Sequence, residues 1–588
     1  MRFTARILPL LVSLTVTFAY AQTTPNTPFQ HVIIVVQENR TPDNLFGSDL
    51  QNNPRRLPNA HLASQGLCGT QEIPLQATGI DACFDPDHSH AKSTYFYGAW
   101  ETMYDAGLMD GACNTHVANK NCTTLTNLQY TYVNNQPVAP VVYGIVEPYF
   151  QIATNYGYAN WMFQTNQGPS FPAHQFLFTG TSAPAFPNNS TACYNAFGAA
   201  SPCYQWFATE LAYNVSDKNY GCIAQNGEVV LEAYPGAGSS NTTESPGWTP
   251  VWEPQPEPGY PCYDHNTMTD LLENNTQGAV SWRYYSDTSI GANPQGNLWT
   301  APNAIEHICL PSGGNCTGPD WPGQTNYNGK ITLKPPQILT DLGAVAGKPC
   351  NLQQVSWVIP DGSWSDHPGT VGADGGPSWV AAIVNAVGGY TNGGQKLPNQ
   401  CTDTINGKQV PYWQDTVILV TWDDWGGFYD DVLPWNCSPT VNNGNCQGYS
   451  NSTGGQYVYG FRVPLLVVSA WTPQGYVSGS PSQAVQPYVH DFGSILNFTE
   501  WAFGKSQTSI GEISPNYHYA DFLAPDAPFS DNNITQYSLS DFFVSFSNQP
   551  RPFTQIIGWK YDTSCFLRPT SCFANYPIDP DNDAIDND

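Results

Sequence analysis

Short runs of consecutive apolar residues punctuate the chain, separated by long stretches rich in Gly, Pro and Asn. Five apolar residues, Val32 to Val36, stand between polar neighbours. Such a run predicts a strand buried on both faces, as in the parallel sheet of an α/β protein. The same pattern predicts strands at Val280 to Tyr285, Val355 to Ile359, Thr416 to Thr421 and Val463 to Ser469. Helices are predicted near Thr94 to Tyr104, from the Gly168-Pro169-Ser170 segment to Phe178, at Thr267 to Asn274, at Pro377 to Val387 with Pro at its start, and from His490 to Phe503. The predicted fold class is α/β, with a mainly parallel central sheet flanked by helices.

Several strands stop abruptly in chemistry. The first runs into Gln37-Glu38-Asn39-Arg40. Open α/β sheets bind ligands at this carboxyl edge, and Glu38 and Asn39 are hard oxygen donors suited to a divalent cation. Arg40 can hold an oxyanion or pair with Asp43. A polar turn is the competing reading. Thr416 to Thr421 stops at Trp422-Asp423-Asp424-Trp425-Gly426-Gly427. Two adjacent carboxylates are costly to bury without a cation. Both reach one ion only if the chain bends, which Gly426-Gly427 permits. Ser170 at a helix start either caps the helix or attacks a phosphate held by the free N–H groups. His88 in Asp85-Pro86-Asp87-His88-Ser89-His90, His265 after Asp264, and His367 in Asp366-His367-Pro368 are solvated loop groups or site residues.

Taken in order, these segments resemble a known family. QENRTPDNLFG, the Asp-His segment before Gly107-Leu108-Met109-Asp110-Gly111, Gly168-Pro169-Ser170-Phe171-Pro172, His367-Pro368 and Asp423-Asp424-Trp425-Gly426-Gly427-Phe428 are similar to motifs of the bacterial phosphoesterases that include acid phosphatases and phospholipases C. The similarity runs from residue 29 to about 505. It implies an alkaline-phosphatase-like core and a metal-dependent hydrolase that cleaves phosphate monoesters through a phosphoserine on Ser170. It implies one divalent ion held by Glu38, Asn39, Ser170, Asp423 and Asp424. His88 (with His90 as fallback), His265 and His367 are the implied acid and phosphate-facing groups, and Asp366 is placed to orient His367. A phospholipase C acting on lipid headgroups is the near alternative. A non-catalytic exported binding protein on the same fold is the distant one. Two positions depart from the pattern. His174 stands near where many members have Asn-Arg, and Asp431 stands where His is usual.

Composition narrows the setting. The net charge of −28 argues against nucleic acid and against electrostatic attraction to anionic membranes. Charged residues make up only 11%, which limits the charge gained on acidification and suits life at acid pH. Residues 1–21, a basic start, a short apolar core and Ala19-Tyr20-Ala21, read as a signal peptide, so a secreted or periplasmic protein is expected. No later stretch has 18 uninterrupted apolar residues, so no transmembrane segment is expected. The catalytic domain is assigned to 22–548, with a loop-rich insertion at about 183–260, and 549–588 as a C-terminal extension. Sixteen Cys in an exported chain predict disulfides that staple these loops. Sequence proximity suggests Cys68/Cys83, Cys113/Cys122, Cys193/Cys203, Cys309/Cys316, Cys437/Cys446 and Cys565/Cys572, leaving Cys222/Cys262 and Cys350/Cys401.

Overall fold

The structure is a computed structural model. It describes residues 27–577 except 48–56, 91–96, 105–108, 120–122, 138–142, 181, 183–206, 213–218, 225–228, 234–261, 275–277, 288–292, 435–459, 481–487, 506–538, 545, 547 and 575. The signal-peptide stretch, most of the 183–260 insertion, the acidic end, and the pairs Cys193/Cys203 and Cys437/Cys446 lie outside the described residues.

The apolar runs become the strands of one sheet. They are β1 (His31–Gln37), β2 (Gly157–Ala159), β3 (Trp282–Tyr285), β4 (Ile331–Thr332), β5 (Val355–Val358), β6 (Thr416–Trp422), β7 (Leu465–Ser469) and β8 (Tyr476–Ser478). Their order across the sheet is β4-β3-β5-β1-β6-β7-β2-β8. The sheet is mixed: β7 runs antiparallel to both neighbours, while the other pairings are parallel. All seven residues of β1 and all seven of β6 are buried, as a strand covered on both faces requires.

Helices supply that cover. They are α1 (Pro42–Phe46), α2 (Glu147–Asn155), α3 (Ser170–Thr179), α4 (Met268–Glu273), α5 (Gly376–Val387) and α6 (Phe492–Ala502). The register pairs Ile34 with Trp357 and with Leu419, so these three side chains share a face. α3 covers it: the Trp357 indole donates to the Leu177 carbonyl at 3.1 Å and meets Phe178 edge to face. Trp422, three residues beyond Leu419, points to the other face, where it meets Tyr149 of α2 at 5.1 Å. α2 packs on α5, and α3 on α6.

Two expectations need correction. α6 begins at Phe492 rather than His490, because His490–Asp491 pairs as a short strand with Met162–Phe163 and Asp491 caps the helix. The 48–80 segment carries a hairpin, Gln65–Cys68 with Gln71–Pro74. A hydrogen bond from Gly69 N–H to the Asp110 carbonyl (2.8 Å) brings the tip of that hairpin to a distant turn. Cys68 therefore bonds Cys113, which removes the expected Cys68/Cys83 and Cys113/Cys122 pairs. Cys222–Cys262, Cys309–Cys316, Cys350–Cys401 and Cys565–Cys572 form as expected. Beyond residue 549 the chain returns to the core, where Phe566 and Phe573 pack on Trp364.

Candidate active site

The ends of β1 and β6 face the start of α3. Glu38 follows Ile34 by four residues and Asp423 follows Leu419 by four, so strand alternation sends both toward α3. The ladder extends past the strands: Asp423 N–H donates to Gln37 O and Arg40 N–H to Asp424 O, each at 3.0 Å. The backbone then turns. Asn39 takes a left-handed φ of 58°, which Asn tolerates, and its N–H donates to Asp423 Oδ1 at 2.9 Å. Gly426 follows at φ 60° and donates its N–H to Asp424 Oδ1. A Cβ on Gly426 would lie 2.3 Å from the Asn39 carbonyl, so only glycine lets the two strand ends close. This is the bend that two adjacent Asp residues need to serve one site.

Ser170 is the first residue of α3, and Pro169 occupies the capping position without a side-chain bond. The Ser170 hydroxyl therefore does not cap the helix. It lies 2.9 Å from Asp424 Oδ2 and 3.3 Å from Asn39 Oδ1. His88 fixes that amide. Its Nδ1 lies 3.0 Å from the Pro86 carbonyl, which can only accept, so Nε2 accepts from Asn39 Nδ2 at 3.1 Å. The Asn39 oxygen is thereby left to face Ser170. One turn along α3, His174 Nε2 lies 3.1 Å from Glu38 Oε1 and 3.6 Å from Asp423 Oδ2. Glu38, Asn39, Ser170, Asp423 and Asp424 are fully buried.

These residues fit a cation. Three carboxylates share a buried site, and ligand atoms of Glu38, Asp423 and His174 lie within 4.8 Å of one another. Asp423 Oδ2 is buried and has no hydrogen-bond partner among the described residues. The guanidinium in the same motif is committed elsewhere. Arg40 donates to the carbonyls of Asp366 and Ile80 and to Asn44 Oδ1, and burial pulls its pKa down to about 10. Neither expected role of Arg40 holds: it does not pair with Asp43, and its donors are spent on main-chain carbonyls and the Asn44 amide oxygen. Asp43 belongs instead to a buried group with Asp430 and Arg462, which the exposed Asp431 joins from its edge. Asp431, at the position where His is usual, accepts from His61 at 3.1 Å.

The remaining histidines stand in different relations to this centre. His367 has Nδ1 2.7 Å from the Pro368 carbonyl, and the Trp299 ring lies 5.9 Å from its ring and 6.4 Å from that of His174. Asp366 does not orient His367. Its carboxyl binds Tyr149 Oη and Trp422 Nε1, and burial raises its pKa to about 6. His265 has Nδ1 on the Asn266 carbonyl, and burial lowers its pKa. His90 holds the Gln167 carbonyl just before Ser170, and burial takes its pKa down to about 4.

Two supports escaped the sequence reading. Gln164 accepts from Trp425 N–H and donates to the carbonyls of Asn166 and Gly168, tying the Asp pair to the loop that delivers Ser170. Gln37 accepts from Asp366 N–H and donates to Trp364 O, tying β1 to the His367 loop. A carboxamide at a strand end is a weak sequence signal, since most serve turns.

The chain is similar in sequence to known proteins. The chain is 24% identical over 340 residues to a non-hemolytic phospholipase C of Pseudomonas aeruginosa, covering 54% of this chain and 42% of that one. It is 29% identical over 281 residues to phospholipase C A of Mycobacterium tuberculosis, covering 45% and 46%. It is 30% identical over 105 residues to non-specific phospholipase C6 of Arabidopsis thaliana, covering 17% and 19%. The matches thus span less than half the length of these relatives. The model of the phosphoesterase family matches residues 29–505, which contain every residue placed in the site above, and the chain belongs to that family.

Proposed function

We propose that this protein is a metal-dependent phosphoesterase that hydrolyses phosphate monoesters through a phosphoserine on Ser170. The observation that carries this is the Ser170 hydroxyl at a helix start, within hydrogen-bond reach of Asp424 and Asn39 beside a buried carboxylate cluster. Asp424 takes the proton of Ser170 as Oγ attacks phosphorus in line. The Oγ–P bond forms, and the bond from phosphorus to the substrate alcohol breaks. His367 is the assigned donor of the proton to the departing alkoxide, with its Nδ1 held by Pro368 O. His88 serves as the residue that orients Asn39, because its Nε2 already accepts from that amide. His265 is kept as a phosphate-facing group. Water then attacks the phosphoserine and releases phosphate. A divalent ion held by Glu38, Asn39, Ser170, Asp423 and Asp424 would supply charge neutralisation at the phosphoryl oxygens.

The names of the relatives favour a second reading, in which the ester is a phospholipid. Ser170 attack would then expel diacylglycerol, and water would release the phosphorylated headgroup. The same machinery serves both. We further propose the alkaline-phosphatase-like core for the sheet, a single catalytic domain over 22–548, and a place of work outside the cytoplasm. The disulfides support that location, and no helix among the described residues is long and apolar enough to cross a membrane.

The test is hydrolysis of p-nitrophenyl phosphate and of phosphatidylcholine by wild type and Ser170→Ala. Wild type should cleave the monoester, and the variant should lose about 10⁴-fold or more in kcat. Release of phosphocholine alone would move the assignment to the lipid. Full activity in Ser170→Ala, or no turnover of either substrate with any divalent ion, would contradict the proposal.

A further inference from the structure

The five ligands named above are all oxygen donors, yet the group that the structure draws around the cluster includes a nitrogen. His174 stands four residues after Ser170 in α3, so both side chains lie on one face of the helix. Its Nε2 faces three carboxylate oxygens: Glu38 Oε1 at 3.1 Å, Glu38 Oε2 at 3.3 Å and Asp423 Oδ2 at 3.6 Å. One N–H satisfies one of these at most. Ligands that each stand about 2.1 Å from a shared ion lie about 3.0–3.5 Å apart at right-angled to tetrahedral geometry; the two Glu38 oxygens stand within that range of His174 Nε2 and Asp423 Oδ2 just beyond it. Asp423 Oδ2, the oxygen farthest from His174, is buried without a hydrogen-bond partner among the described residues. A hydrogen bond from His174 to Glu38 alone leaves that oxygen unexplained, whereas an ion between the three groups accounts for it. Trp299 lies nearly parallel to the His174 ring, at 19° and 6.4 Å, and walls the imidazole on one side.

We infer that His174 is a direct nitrogen ligand of the ion, and that the site selects a transition metal such as Zn²⁺, Mn²⁺, Fe²⁺ or Co²⁺ over Mg²⁺ or Ca²⁺. The inference rests on the metal-dependent reading above and adds to it the class of ion. Imidazole suits transition metals, while Mg²⁺ and Ca²⁺ prefer all-oxygen shells. The helix that presents the nucleophile also presents a ligand one turn later, so Ser170 and the ion share one rigid support.

The test is pulsed EPR of metal-free mature protein reloaded with Mn²⁺, in wild type and in His174→Gln. Wild type should show the hyperfine coupling of a bound imidazole nitrogen, and His174→Gln should lose it. The variant's affinity for Zn²⁺ should fall about 10–100-fold, with Mg²⁺ affinity much less changed. The wild-type spectrum decides even if the variant folds poorly. Bound Mn²⁺ without nitrogen coupling, or coupling that persists in His174→Gln, overturns the inference and leaves the phosphoesterase reading standing. Failure of wild type to bind any divalent ion overturns both. In that case His174 is only a hydrogen-bond partner of Glu38.

Discussion

His88 and His367 look alike in the sequence, each following Asp in a polar loop, yet their ring nitrogens are used differently. His88 has both nitrogens engaged, one on Pro86 O and one on the Asn39 amide, so its neutral form sets the direction of Asn39 Oδ1. His367 has Nδ1 on Pro368 O, the bond that suits a ring whose Nε2 acts on a substrate. His367→Ala should therefore lose at least about 10²-fold in kcat on an alkyl phosphate, whose alkoxide needs a proton. The loss on p-nitrophenyl phosphate, whose leaving group needs none, should be much smaller. Equal losses on the two esters would remove His367 from the acid role. At this scale the sequence and the family motifs marked Glu38, Asn39, Ser170, Asp423 and Asp424, because strand ends and a helix start frame them. The partners of Arg40 and Asp366 were not legible, since both are set by main-chain carbonyls and aromatic donors far away in sequence.

Elements bring these side chains together through register and one tight turn. β1 and β6 were readable because each is an unbroken apolar run, and a run buried on both faces has no alternation to confuse it. Strand alternation places Glu38 and Asp423 toward α3. The reversal after β6 is what turns Asp424 to Ser170, and Gly426 makes it possible. Gly426→Ala should cost about 2–4 kcal/mol, from strain at positive φ and from the approach to Asn39 O. Denaturant unfolding of the metal-free protein measures this. A change under about 0.5 kcal/mol would mean that the turn is not constrained as described. The reversed direction of β7 was not legible, because apolar runs carry no sign of strand polarity. The extra turn of contact between α3 and the carboxylates was missed for a related reason: a His one turn after Ser shows spacing but not what the helix faces.

Among the described residues several buried carboxyls are shifted in one direction. Burial raises Asp87, Asp361 and Asp366 to about 6 and Asp541 to about 7, and holds Asp43 well above the ordinary carboxylate range. His307, between Asp270 and Asp264, is raised to about 9. Between pH 7 and pH 5 each of these binds more protons folded than unfolded, so stability rises as pH falls. His90, lowered to about 4, and His265 and His116, also lowered by burial, oppose this. The net charge of −28 adds in the acid direction, since self-repulsion falls as carboxyls protonate. Metal-free protein should show a higher urea midpoint at pH 5 than at pH 7. A lower midpoint at pH 5 would contradict the charge account and with it the acid setting read from composition. Disulfide pairing shows the limit of sequence at this scale. Cys68 meets Cys113 because a hairpin and a remote turn dock, which neighbouring Cys positions do not reveal.

The central claim is that Ser170 carries the phosphoryl group during turnover. Wild type mixed with p-nitrophenyl phosphate, quenched in acid within the first turnovers and digested, should yield the Ser170 peptide bearing one phosphate, located on Ser170 by fragmentation. Ser170→Ala should yield none. Active enzyme with an unmodified Ser170 peptide at every quench time, or a phosphate mapped to another residue, would contradict the account.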